Sequence, residues 1–296
     1  MANAAKMAAN PSSRILLTGY PGTGKTGALA SLANAGFKLR ILDFDGNPES
    51  LLQYTDPARL ANIDIVSLED PLMAQGAYIG VKGLPQAFIK ALKMLDSWKY
   101  TDTDGTEVDL GKSSEWGPDT IVVVDGMTGL SQACFAHAQA VSNKTPLNTT
   151  QAVWGLAIHN QLQFIKRLTA ATNRHHVIMI SHLKMVGPKM AENNDSSLKQ
   201  DLLERAAELI PTRLYPTALG QQLPQTIAGE FPVVVNLMLA APKAGSKTME
   251  RSFQVLPSAE MDIKLPAKDV AALQGASVSD GLLRIFRALG CQPPSP

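Results

Sequence analysis

Eight consecutive residues, Gly19-Tyr20-Pro21-Gly22-Thr23-Gly24-Lys25-Thr26, fit the spacing G-x-x-x-x-G-K-T. Glycines in such a loop let the backbone curl until successive N–H groups point inward, toward phosphate oxygens. A helix opening from the loop adds partial positive charge at its N-terminus. The lysine then reaches the β- and γ-phosphates, and the hydroxyl after it ligates Mg²⁺. The pattern predicts ATP, or a close relative, with Mg²⁺. The expected cradle is Gly19, Tyr20, Pro21, Gly22, Thr23, Gly24, Lys25, Thr26 and Gly27. No base-reading motif separates ATP from GTP.

A second half of the site is expected at Asp125, which ends the β-branched run Thr120-Ile121-Val122-Val123-Val124. Ligands of open α/β sheets bind at the carboxyl ends of strands. Asp125 is therefore expected to hold Mg²⁺ with Thr26, through water. The next residues, Gly126-Met127-Thr128, contain no acid. A water-activating carboxylate must come from elsewhere. Asp43 and Asp45, in Leu42-Asp43-Phe44-Asp45-Gly46-Asn47, are the first candidates, with Glu49 beyond them. Alternation puts both aspartates on one side if the strand continues. The other reading is turn capping, since Asp-Gly is common turn chemistry. Ser181 and His182 end the run Val177–Ile180. If that strand lies between the other two, both face the γ-phosphate, with His182 as a polar sensor of hydrolysis. The alternative for His182 is an ordinary packed or surface histidine. His175 and His176 are expected to be structural or exposed, and no histidine has metal ligands around it.

These residues need a sheet to position them. Short apolar runs at Arg14–Thr18, Leu39–Asp43, Ile63–Leu68, Thr120–Asp125, Val177–Ser181 and Phe231–Leu239 read as strands, several covered on both faces. Helical spacing covers Lys25–Asn34, Leu84–Trp98, Leu130–Val141 and Gln151–Thr172. A short amphipathic helix around Leu282–Leu289 has Ser279 or Asp280 as its expected cap. Tyr100–Gly117 reads as a surface excursion turning at Asp104-Gly105. Lys184–Gln222 shows little strand signal and reads as a mobile loop, with a helix expected over Leu198–Leu209. The three tryptophans read as packing residues, and the methionines, Met94, Met179 and Met238 among them, as core filler. The expected fold class is α/β, a mostly parallel central sheet flanked by helices. The expected organisation is a loose tail at 1–13, an ATPase domain at 14–265 with the mobile loop at 184–222, and a C-terminal helical segment and tail at 266–296.

The chain has 296 residues, 45% hydrophobic and 18% charged, with a formal net charge of +1. That balance gives no global attraction to nucleic acid, so any DNA contact needs a local basic groove, assembled between subunits. Cys134 and Cys291 form neither a zinc pattern nor a disulfide framework and read as reduced thiols of a cytoplasmic protein. No stretch approaches the ~20 apolar residues of a membrane span.

The phosphate loop, Leu42-Asp43-Phe44-Asp45-Gly46, Val124-Asp125-Gly126-Met127-Thr128 and Ile180-Ser181-His182, in that order, resemble the RecA-like branch of P-loop ATPases. They look most like phage nucleotide-binding proteins of the Sak4 type, over about residues 14–265. Trp154-Gly155 and Pro216-Thr217-Ala218-Leu219-Gly220 fit as well. The resemblance implies a RecA-like core that acts on single-stranded DNA in recombination or annealing, as a homo-oligomer, in the cytoplasm of a bacterial host. A phage or host single-strand-binding protein is a further implied partner. Such relatives end the second strand Asp-x-Glu; here Asp45 stands at the matching position, one methylene shorter. The implied DNA-contacting loops are Ser142–Thr150 and Lys184–Gln222, with Lys144, Lys184, Lys189 and Lys199 as phosphate contacts. A cation from a neighbouring subunit, Arg251 or Lys264, is implied to complete the site. Two other readings remain: a nucleotide-gated switch that binds a protein partner, and a small-molecule kinase.

Overall fold

A computed structural model describes residues 12–186, 213–240 and 249–294. Its frame is a seven-stranded sheet: β1 Arg14–Gly19, β2 Lys38–Asp43, β3 Ile63–Ser67, β4 Thr120–Asp125, β5 His176–Ser181, β6 Val233–Ala240 and β7 Glu250–Gln254. The spatial order is β7-β6-β1-β5-β4-β2-β3. The first six strands run parallel, and β7 pairs antiparallel with β6.

Strand alternation divides the core into two layers. In β4, Val122 and Val124 join one cluster, which contains the helices Ala87–Asp96, Met127–Val141 and Gln151–Leu168. Ile121 and Val123 join the other, which holds the helices Lys25–Ala28, Ala30–Asn34 and Gly281–Ala288. A sheet buried on both faces explains why β1, β4 and β5 read as unbroken apolar runs. Residues after 265 share this core. Phe286 is fully buried, edge-on to Phe37 at 5.6 Å and to His176 at 5.1 Å.

Several expectations shift. The helix after the loop is broken into two pieces at Leu29. Asp280 holds the N-cap position of the last helix, but its side chain makes no capping bond. Trp98 is fully buried, whereas Trp154 is partly exposed and stacks on Phe135 at 4.3 Å. Met238 is exposed rather than core. The excursion after Trp98 is a hairpin, Lys99–Thr101 with Glu107–Asp109, turning through Asp104-Gly105 as expected. A second hairpin, Leu72–Gln75 with Tyr78–Val81, has no counterpart in the sequence reading. The segment expected to be a loop from Lys184 starts as a third hairpin, Leu183–Val186 with Arg213–Pro216. The helix expected over Leu198–Leu209 lies outside the described residues.

His175 and His176 are buried structural groups. The His175 Nδ1–H donates to the Ser113 carbonyl at 2.9 Å. His176 Nε2–H donates to the Pro118 carbonyl at 2.9 Å, and its Nδ1 accepts the Ser13 N–H at 3.0 Å. Both rings are thereby held neutral; burial pulls each down to about 4. The Cys134 and Cys291 thiols are buried, and burial pushes both up. Among the described residues, no helix is long and apolar enough to cross a membrane.

Candidate functional site

The loop joins the end of β1 to the helix Lys25–Ala28. Gly24 caps that helix at φ +90°, a left-handed conformation that an L side chain resists. The turn sends Lys25 back over the loop. Its Nζ donates to the carbonyls of Gly19 at 3.0 Å and Tyr20 at 2.9 Å, and to His182 Nδ1 at 3.2 Å. Burial pulls the ammonium down to about 8, against the opposing pull of Asp125 and Asp45.

β5 does lie between β1 and β4, which brings Asp125 and His182 beside the loop. Thr26 Oγ1 donates to Asp125 Oδ2 at 2.8 Å. Burial pushes the Asp125 carboxyl up to about 7, aided by Asp45 and Asp43; the Thr26 bond and Lys25 work the other way. The site thus holds a buried carboxyl whose ionised form a divalent cation would stabilise.

The two candidate bases separate. Asp43 turns back to cap its own strand: its Oδ1 accepts the N–H groups of Asp45 at 3.1 Å and Gly46 at 2.9 Å. Burial pushes Asp43 up, while those two bonds lower it. Asp45 instead enters the cavity, with Oδ2 3.9 Å from His182 Nε2. His182 thus has Nδ1 toward Lys25 and Nε2 toward Asp45. Burial, then Lys25, lowers His182, against the pull of Asp45.

Gly126 explains how Asp45 fits. Its φ is +111°, and an added Cβ would stand 2.0 Å from Asp45 Oδ1. The carboxylate occupies the space that a side chain after Asp125 would fill.

Ser181 does not face the cavity. Its Oγ donates to the His182 carbonyl at 2.9 Å and accepts the Thr217 N–H at 3.0 Å, which ties β5 to the chain after the third hairpin. Lys264 also lies elsewhere. It pairs with Val234 near the start of β6, and its Nζ donates to the Ala228 carbonyl at 2.8 Å. Lys144 follows the helix Met127–Val141, and Lys184 is exposed, opposite Tyr215 in the third hairpin. Lys189 and Lys199 lie outside the described residues.

Together these groups line a cavity of about 330 Å³. Its walls include Gly22, Gly24, Lys25, Thr26, Asp45, Asp125 and His182. Asn47, Ser50, Tyr54, Ile180 and Arg251 complete it. The sequence reading missed Asn47, Ser50 and Tyr54. Tyr54 is brought in by the short helix Glu49–Tyr54, its ring against Gly27. No residue pattern marks it.

The residues fit a triphosphate with Mg²⁺. Glycines of the loop, a buried ammonium and an arginine line the cavity, together with a hydroxyl–carboxylate pair. Among the described residues, no group of three or more His, Cys, Asp or Glu could hold a metal alone. Thr26 and Asp125 would therefore hold Mg²⁺ jointly with phosphate oxygens and water, as that ion prefers. A model of the AAA domain family matches residues 12–264. No curated protein matches the chain. Over most of its length, then, the chain belongs to the AAA domain family and is an ATP-binding P-loop NTPase domain of α/β architecture.

Proposed function

We propose that the protein hydrolyses ATP as a RecA-like ATPase of the Sak4 type, and that it acts on single-stranded DNA in phage-type recombination or annealing. The observation that carries the reading is the placement of Asp45. The turn after β2 delivers the carboxylate to the cavity, beside Lys25, Thr26, Asp125 and His182.

In this reading Asp45 orients the attacking water and takes its proton. The water oxygen bonds to the γ-phosphorus as the bond to the β,γ-bridging oxygen breaks. Lys25 and the loop N–H groups stabilise the charge that develops. His182 touches both Lys25 and the Asp45 side of the cavity. The chain runs from His182 straight into the hairpin Leu183–Val186. That continuity supports a route from nucleotide state to the segment proposed to meet DNA.

A second reading, a switch that binds a protein, is favoured by the hairpin Leu72–Gln75 with Tyr78–Val81. Leu72 and Ile79 are 70% and 71% exposed there. ATP hydrolysis measured with and without single-stranded DNA, across a salt series, separates the two. The proposal expects stimulation by DNA that falls steeply with salt, as phosphate neutralisation requires. Lys25→Ala abolishes hydrolysis in both readings. Hydrolysis indifferent to DNA at low salt favours the protein partner.

A further inference from the structure

β7 lies beside β6 at the edge of the sheet, two strands from β1. It carries Arg251 into the cavity that holds Lys25 and Asp125 of the same chain. The arginine stem crosses the loop itself: a Cβ added at Gly24 would stand 3.1 Å from Arg251 Cδ. Gly24 thus serves two purposes, a left-handed turn and room for that stem.

Arg251 is fixed from both sides. It pairs with Leu239 of β6, and its carbonyl accepts the Val278 N–H at 3.3 Å. A bridge between Ser252 and Ser277 continues the same contact. Val278 also approaches the loop, with Cγ2 3.4 Å from a Cβ at Gly24. Residues 276–281 therefore clamp the arginine strand, although they lie beyond the family match at 12–264.

Among the described residues, Arg251 makes no ion pair, whereas Arg213 stands 3.5 Å from Asp262. The cavity sets Lys25 and Arg251 against Asp45 and Asp125, so it has no excess positive charge before Mg²⁺ enters. A triphosphate bound with Mg²⁺ brings a net negative charge into that balance. A planar guanidinium on an open wall suits phosphate oxygens, which it can grip with two N–H groups.

We infer that Arg251 contacts the triphosphate bound to its own chain, so that the cation expected from a neighbouring subunit is supplied in cis. The inference rests on the ATPase reading.

The test uses the full chain with Arg251→Met, which keeps the stem over Gly24 and removes the charge. ATP hydrolysis and binding of a fluorescent ATP analogue are measured for it, for Lys25→Ala and for their equimolar mixture. We expect Arg251→Met to lose tenfold or more in hydrolysis, and to bind the analogue more weakly even at dilutions where the protein is monomeric. We expect the mixture to give no more activity than its two components summed. Recovery in the mixture overturns the inference, because it means a neighbour supplies the arginine. Hydrolysis and binding within twofold of the unmodified protein overturn it as well. If Arg251→Met does not fold, Arg251→Gln is read by the same two measurements. Lys25→Ala that still hydrolyses ATP sinks the ATPase reading itself, a separate result.

Discussion

Asp125 shows what a metal-binding carboxylate costs the fold. Its carboxylate is buried beside two other aspartates, and the Thr26 hydroxyl and Lys25 compensate only in part. The charge needed to hold a metal is therefore costly without one. Asp125→Asn keeps an oxygen for the Thr26 hydroxyl and removes the charge. It should raise the stability of the nucleotide-free protein near neutral pH by about 1–3 kcal/mol, and remove the extra stability that Mg²⁺ with ATP confers. Thermal unfolding with and without Mg²⁺ and ATP checks both. An Asn variant less stable than the parent would mean that the Thr26 contact needs an ionised partner. At this scale the loop and Asp125 were legible because their spacing is itself the chemistry. Asp43 and Asp45 were not separable, because strand alternation stops where the strand stops. Only the turn, with Asp43 accepting two backbone N–H groups, sends one inward and keeps the other.

His175, just before β5, and His176, its first residue, act at the scale of the element. The neutral His176 ring is satisfied at both nitrogens, and protonation of Nδ1 would face it with the Ser13 N–H. His175 and His176 are held near 4, below the ordinary histidine value of about 6.5. Between those values the unfolded chain binds protons that the fold refuses. Stability from this pair is complete above about pH 6.5 and is lost as pH falls toward 4. Asp125 opposes this. Its carboxyl sits near 7 in the fold, so the native state holds its proton across the same window. Urea unfolding from pH 7.5 to 4.5 should show a decline toward acid, and Asp125→Asn should make it steeper. A flat profile in the Asn variant would contradict the pairing described for the two rings. The strands themselves were readable, since burial on both faces leaves unbroken apolar runs. The hairpin Leu72–Gln75 with Tyr78–Val81 was hidden because its exposed Leu72 and Ile79 mimic core residues. The hairpin at Leu183 was hidden because its partner strand begins only at Arg213.

For the whole molecule, the sheet is closed by residues from the far end of the chain. Phe286 packs against Phe37 and His176, and the segment before its helix holds β7 in place. Phe286→Ala should destabilise the protein by about 3–5 kcal/mol, as loss of a buried aromatic ring does. Chemical denaturation measures it. A loss under ~1 kcal/mol would mean that the C-terminal helix is not part of the cooperative core. The sequence reading placed this helix correctly but gave no sign of its load, because an apolar stripe does not say what it covers.

The contact between Gly126 and Asp45 constrains how this chain can change over generations. An acid in place of Gly126 and the present side chain of Asp45 claim the same volume. With Asp45 as the base proposed above, a lineage moving that group from one position to the other would have to alter both codons together, since each single step either clashes or leaves the cavity without it. The two arrangements are thus separate adaptive peaks on one scaffold, and a descendant of this chain that has replaced Gly126 by an acidic residue should also have a small residue in place of Asp45.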